Sequence, residues 1–239
     1  MDTDSSAVPD RSEALATTFA DLAAIIYACD HIDEVYAAVC AAAPRLVSGC
    51  DHASVMLCRD GRFFTGASSD EVAQYADGLE REVGEGPCLD AIEDKAAYIE
   101  TDLANSNPWP KLAERLLVET PVRGTAGFRL MVDDKKVGAL NLFADTAGAF
   151  TSTSVNEATV LAAFTSVALT AAHERQSAAS LREGLLSNRE IGMAVGLLMA
   201  FHKVNSEQAF EILRKTSQDM NIKLVEVARQ LVQHENSRR

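Results

Sequence analysis

Apolar and polar positions change period several times along the 239-residue chain, and each change predicts an element. Over residues 12–29, Leu15, Phe19, Leu22, Ile25 and Ile26 recur at threes and fours, the spacing of one helical face. A second helix is expected over 32–46, after Asp30 and His31. The period then drops to two. Residues 53–58 read as a strand, Arg59-Asp60-Gly61 as a turn, and 62–66 as the hairpin partner. Residues 69–81 return to helix, with Ser69 or Asp70 as cap. The glycine–proline loop Val83-Gly84-Glu85-Gly86-Pro87-Cys88-Leu89-Asp90 opens a short helix. A brief strand at 98–102, a long turn from Asn105 to Pro110 and a short helix at 112–119 follow. Apolar strands at 127–132 and 137–143 flank Asp133-Asp134-Lys135-Lys136, a hairpin signature. Strands in the middle and helices at both ends predict an α+β fold around an antiparallel sheet flanked by helices.

From 154 to Gly184 the chain has neither Gly nor Pro and is rich in alanine, so a long helix is expected. Val160, Phe164, Val167, Ala171, Ala178, Leu181 and Leu185 approximate a heptad seam that Glu174 interrupts. The seam fits a homodimeric coiled coil; the alternative is a helix that packs on its own sheet and frays into a linker. Two more helices follow. Asn205 with Gln208 fits a capping box ahead of Ala209-Phe210-Glu211-Ile212-Leu213. The last helix starts near Asn221-Ile222-Lys223 and carries Leu224, Val227, Ala228, Leu231 and Val232 at helical spacing.

Charge separates these halves. The whole chain is −13, yet from Arg182 onward nine Lys/Arg face seven Asp/Glu, a net +2, leaving −15 for the rest. Such asymmetry points to separate jobs. Apolar residues make up 47%, an ordinary soluble composition, no apolar run approaches the ~20 residues of a membrane span, and the polar start lacks a secretory pattern. A cytoplasmic protein is expected. The five cysteines form no C-x-x-C pair, and Cys29, Cys40, Cys50 and Cys58 sit in apolar stretches as small hydrophobes.

The last fifty residues resemble the ANTAR family. Three motifs carry the resemblance: Ser187-Asn188-Arg189-Glu190-Ile191-Gly192-Met193-Ala194-Val195-Gly196-Leu197-Leu198-Met199; Ser206-Glu207-Gln208-Ala209-Phe210 with Leu213-Arg214; and Asn221, Lys223-Leu224 with Val227-Ala228. The resemblance implies a three-helix module that binds paired hairpins in nascent transcripts and prevents termination. Many members have Lys where this chain has Val195. Upstream, Gly84-Glu85-Gly86-Pro87-Cys88, Asp102-Leu103 with Trp109-Pro110, and 137–143 resemble a GAF domain. That implies a sensor that holds a small molecule in some relatives and leaves any cofactor here unknown. The organisation read from the chain is a disordered N-terminus at 1–11, a GAF-like sensor at 12–175 and an ANTAR-like RNA-binding domain at 176–239.

RNA loops expose phosphates and unstacked bases, so a reader needs cations and polar groups. Arg189, His202, Lys203, Arg214, Lys215, Ser217, Lys223 and Arg229 are the candidates. Gly192 and Gly196 read as packing residues that admit a close helix. In the sensor, Phe64, Cys88, Trp109, Phe128, Met131 and Leu140 are candidates to line a ligand pocket or to form core. Cys88 beside a helix N-terminus is also a candidate redox thiol, which Glu85 and Asp90 oppose by their charge. Glu85, Asp90, Glu93 and Asp94 form an acidic cluster with no histidine at ligand spacing, so no metal site is expected. No nucleophilic triad or phosphate loop appears, and a non-enzymatic, signal-responsive RNA-binding regulator is expected. The alternatives are a thiol-based redox sensor or enzyme using Cys88, and a DNA-binding regulator.

Overall fold

The computed structural model describes residues 11–29, 31–93, 96–105 and 108–237. The tail expected over 1–11 lies outside these residues except at Arg11, and so do Asp30, Asp94, Ser106 and Asn107. The chain divides into two compact units, Met1–Glu174 and Arg175–Arg239.

The first unit is built on a five-stranded antiparallel sheet of order β2-β1-β5-β4-β3. Its strands are β1 (His52–Arg59), β2 (Arg62–Ser68), β3 (Ala97–Glu100), β4 (Gly124–Val132) and β5 (Lys135–Ala144). The helices are α1 (Arg11–Ala28), α2 (Ile32–Leu46), α3 (Glu71–Val83), α4 (Pro87–Glu93), α5 (Pro110–Glu119) and the start of α6 (Ser152–His202). Strand alternation sorts side chains between two faces. Ala53, Val55 and Leu57 of β1 and Leu140, Leu142 and Ala144 of β5 join α1, α2 and α6 in the main core. Ser54, Met56, Ala139, Asn141 and Phe143 face the other way, toward α3, α4 and α5.

Several boundaries differ from the sequence reading, two of them for local reasons that the backbone shows. The β4–β5 turn contains only Asp133 and Asp134, both left-handed (φ 49° and 61°), so β5 begins at Lys135. Two successive positive φ values make a tight primed turn whose twist matches the strands, and Asp tolerates that region. Strand β3 stops at Glu100 because Asp102 folds back, its side chain accepting the Ala104 N–H at 3.0 Å.

Helix α6 runs for 51 residues without a break. By length and composition it could cross a bilayer, but in the first unit Leu161, Ala162, Ala168, Leu169 and Ala172 are buried in the core. It accommodates polar residues there by bonding them back: the hydroxyls of Thr165 and Ser166 donate to the carbonyls of Leu161 and Ala162 at 2.7 and 2.9 Å. The glycines Gly184, Gly192 and Gly196 each disfavour helix by about 1 kcal/mol relative to Ala, too little to stop an Ala- and Leu-rich run.

The second unit comprises the rest of α6, α7 (Ser206–Met220) and α8 (Leu224–Asn236). Ala194, Val195, Leu198, Ala209, Leu213, Val227 and Ala228 form its small core. The expected capping box is present: Asn205 accepts from Gln208 N at 2.9 Å, and Gln208 accepts from Asn205 N at 3.1 Å.

Candidate functional site

In the first unit the face toward α3 and α4 carries a buried polar network. Asp77, on α3, accepts hydrogen bonds from Ser54 Oγ (2.6 Å), Asn141 Nδ2 (2.8 Å) and Thr65 Oγ1 (3.0 Å). One turn later Glu80 accepts the backbone N–H groups of Cys88 (2.8 Å) and Leu89 (3.1 Å). Glu80 is thus the cap of α4, and burial, reinforced by the charge of Asp77, pushes its pKa up to about 8. Burial also raises Asp77. Asn141 Oδ1 and Thr125 Oγ1 are buried without a hydrogen-bond partner.

The acidic cluster at this end has structural roles. Glu85 accepts the N–H of Lys111 (2.5 Å) and Leu112 (3.3 Å), capping α5. Asp90 accepts the Trp109 indole N–H at 2.8 Å. Gly127 on β4 lets α4 lie directly on the sheet, because a Cβ there would stand 2.7 Å from the Pro87 carbonyl oxygen.

The six residues expected at a pocket do not share one. Phe128 and Leu140 are in the main core with α1, α2 and α6, and Phe64 packs against it with the Arg59 guanidinium 5.6 Å from its ring. Cys88 and Trp109 belong to the opposite face, in two separate clusters. Met131 lies beside an open groove of about 440 Å³ lined also by Ser166 and Val167. The periodicity of each strand fixes which face a residue takes, and these six residues come from both. A reactive Cys88 also loses its basis. The thiol is fully buried, and burial together with the Glu80 and Asp77 charges raises its pKa well above the ordinary value. Among the described residues no group of three or more metal-ligating side chains is found.

Sequence reasoning missed His52. Its Nδ1 lies 2.8 Å from Asp70 and its Nε2 3.2 Å from Asp145, joining the β1 and β5 ends to the α3 cap. Contacts separated by 18 and 93 residues leave no local signal.

In the second unit Arg189, His202, Lys203, Lys215 and Lys223 are exposed. Arg214 is held by Glu211 on its own helix (2.9 and 2.5 Å). Arg229 bridges Glu226 (2.8 Å) and Glu190 of α6 (3.2 Å), so it also fastens α8 to α6. Ser217 donates to the Ile222 carbonyl at 2.6 Å, closing the α7–α8 turn. The expected packing role of Gly192 and Gly196 is not realised within the chain, since a Cβ at either would meet nothing within 4 Å.

The family model for the GAF domain matches residues 29–170, and that for the ANTAR domain matches residues 179–232. The chain belongs to the GAF family and carries an ANTAR domain. No curated protein matches it significantly. Among solved structures, a protein described as a GAF sensor from Burkholderia vietnamiensis is 12% identical with a TM-score of 0.54, covering 73% of this chain and 99% of that one. The phytochrome photosensory core module of Stigmatella aurantiaca is 14% identical with a TM-score of 0.55, covering 87% of this chain and 45% of that one. The free methionine-R-sulfoxide reductase of Neisseria meningitidis is 11% identical with a TM-score of 0.54, covering 70% and 95%. At these identities the likeness establishes the fold alone. The GAF sheet and its flanking helices are those of the first unit, and α7 and α8 lie in the ANTAR region. Together the two domains make the chain an RNA-binding transcription regulator with a sensor domain.

Proposed function

We propose that this GAF–ANTAR protein is a non-enzymatic, cytoplasmic regulator that acts by transcription antitermination on paired hairpins in nascent RNA. The ANTAR match at 179–232 is the observation that carries the reading. The exposed cations Arg189, Lys203, Lys215 and Lys223 supply the phosphate contacts such binding requires. Residues 12–175 serve as the sensor of a small-molecule ligand, and 176–239 as the output.

The protein works as a homodimer in this reading. At 100° per residue, Leu181, Leu185, Gly192, Gly196 and Met199 fall within about 60° of one another on α6. All are exposed, Leu181 and Leu185 by 67% and 63%. A second copy seated on this stripe would bury them, and the glycines would admit it closely. A signal in the sensor would then shift the packing or register of α6. The unbroken helix from Ser152 to His202 supports that route.

The test is binding of the full chain, at fixed salt, to an RNA with two adjacent small-loop hairpins, with single-hairpin RNA and duplex DNA as competitors. Selective, salt-sensitive binding to the paired hairpins is expected. Equal, weak binding of RNA and DNA would defeat the reading.

A further inference from the structure

Phe201 and Phe210 lie outside the core of the second unit. They are 59% and 41% exposed, and neither joins the cluster around Ala194, Leu198 and Leu213. The other seven of the chain's nine phenylalanines are buried or half-buried, so these two break the chain's own pattern. A ring left in water forgoes the stabilisation that burial supplies, and neither ring gains a compensating partner among the described aromatic contacts.

The surroundings of Phe201 are cationic and fixed. Phe201 occupies the last turn of α6 and is followed directly by exposed His202 and Lys203. Lys203 takes a left-handed φ of 54°, and the reciprocal Asn205–Gln208 bonds lock the start of α7 two residues later. The corner that bears Phe201 is therefore held by backbone geometry at both ends. Phe210 lies one turn before Arg214 on α7, so the two share a flank of that helix.

An aromatic face next to a cation matches an unpaired nucleotide: the base stacks on the ring and the phosphate meets the charge. Every base has a π-face, so such a platform tolerates sequence and requires only that the base be out of its helix. Paired bases inside a duplex present no such face, whereas hairpin loops do. We infer that Phe201 and Phe210 stack on unpaired loop bases of the bound RNA, with Lys203 neutralising the phosphate beside Phe201. This rests on the RNA-binding reading above and adds the feature of the RNA that is read.

The experiment titrates the full chain against the two-hairpin RNA carrying 2-aminopurine in its loops, at several KCl concentrations. Wild type is compared with Phe201→Ala, Phe210→Ala, Phe201→Trp and Lys203→Ala, with circular dichroism confirming that each is folded. Each alanine variant should bind about fivefold to a hundredfold more weakly with an unchanged salt slope. Lys203→Ala should instead reduce the slope by about one ion's share. Loop 2-aminopurine should be quenched by wild type and by Phe201→Trp, and less by either alanine variant. Wild-type binding with no loss in either phenylalanine variant would overturn the inference and leave the RNA reading standing. Dissociation of the alanine variants into monomers in sedimentation would assign the rings to a protein interface and overturn it as well. If wild type binds no RNA, the broader reading fails and takes this one with it.

Discussion

The carboxylate of Glu80 accepts the backbone N–H of Cys88 at 2.8 Å, so α3 holds the first turn of α4 through a side chain that is only 1% exposed. Between them lies Gly86, where a Cβ would come within 2.3 Å of the same carboxylate. The Gly-Glu-Gly-Pro-Cys segment is therefore a cradle for a buried carboxyl group, built so that a short helix can be pinned to the sheet.

Glu80 makes stability fall as pH rises. Its folded-state pKa of about 8 lies above the ordinary 4.5, so between those values the folded chain keeps a proton that the unfolded chain has released. The effect is complete near pH 8 and level above it. Urea unfolding from pH 5 to 8 should show a steeper decline for wild type than for Glu80→Gln; parallel curves would refute the assignment. Glu80→Ala leaves two helix N–H groups without an acceptor and should cost about 2–4 kcal/mol, at about 1–3 kcal/mol for each unsatisfied group before relaxation.

The His52 clasp works in the opposite sense. Burial of the ring opposes its charging, but the Asp70 hydrogen bond and the charges of Asp70 and Asp145 outweigh it, and the pKa is raised. A raised histidine contributes fully below its unfolded pKa, and the contribution disappears as pH rises through the folded value. Asp70, which is lowered, limits the clasp on the acid side. Because both carboxylates are partly exposed, His52→Ala should cost only about 0.5–1 kcal/mol at pH 6 and less at pH 8.5. Thermal melts at the two pH values check this, and an equal loss at both would rule the clasp out.

Cys88 should behave as an inert core residue. In native protein, a maleimide should label the half-buried Cys29 and Cys58 and leave the buried Cys40, Cys50 and Cys88 unmodified until denaturant is added. Mass spectrometry of the digested protein reads the sites. Rapid native labelling of Cys88, or loss of RNA regulation in Cys88→Ser, would restore the redox alternative.

On α6, Leu185→Asp should convert a dimer to monomer in sedimentation velocity, because it puts a charge into the proposed seam. Insertion of four residues after Ala178 should leave folding intact and change the RNA response. A dimer that survives the first change would place the interface elsewhere, and an unchanged response to the second would remove α6 as the relay.

The parts of this architecture legible in the sequence were those with local causes. The Asn205–Gln208 box, the apolar run of 127–132 and the Ala-rich run beyond 154 each announce an element through neighbouring residues. The site was less legible, because its contacts join distant positions. Glu85 reads as part of an acidic cluster until the fold brings Lys111 and Leu112 to it, 26 and 27 residues on. Phe128 and Trp109 are equally apolar in composition, and the sheet separates them onto opposite faces. Exposure of Phe201 and Phe210 was hidden for a similar reason: helical phase marks a face, while the small size of the three-helix core decides which faces find a partner.

The sharing of α6 bears on how the molecule is made. Leu169 and Ala172 complete the hydrophobic interior of the sensor, yet they belong to the helix that continues into the RNA-binding unit. A ribosome synthesising the chain cannot finish the sensor before it has started that helix, and residues 206–236, which form α7 and α8, emerge only after it. With domains folding in order of synthesis, each newborn molecule acquires its means of control before it acquires the surface to be controlled.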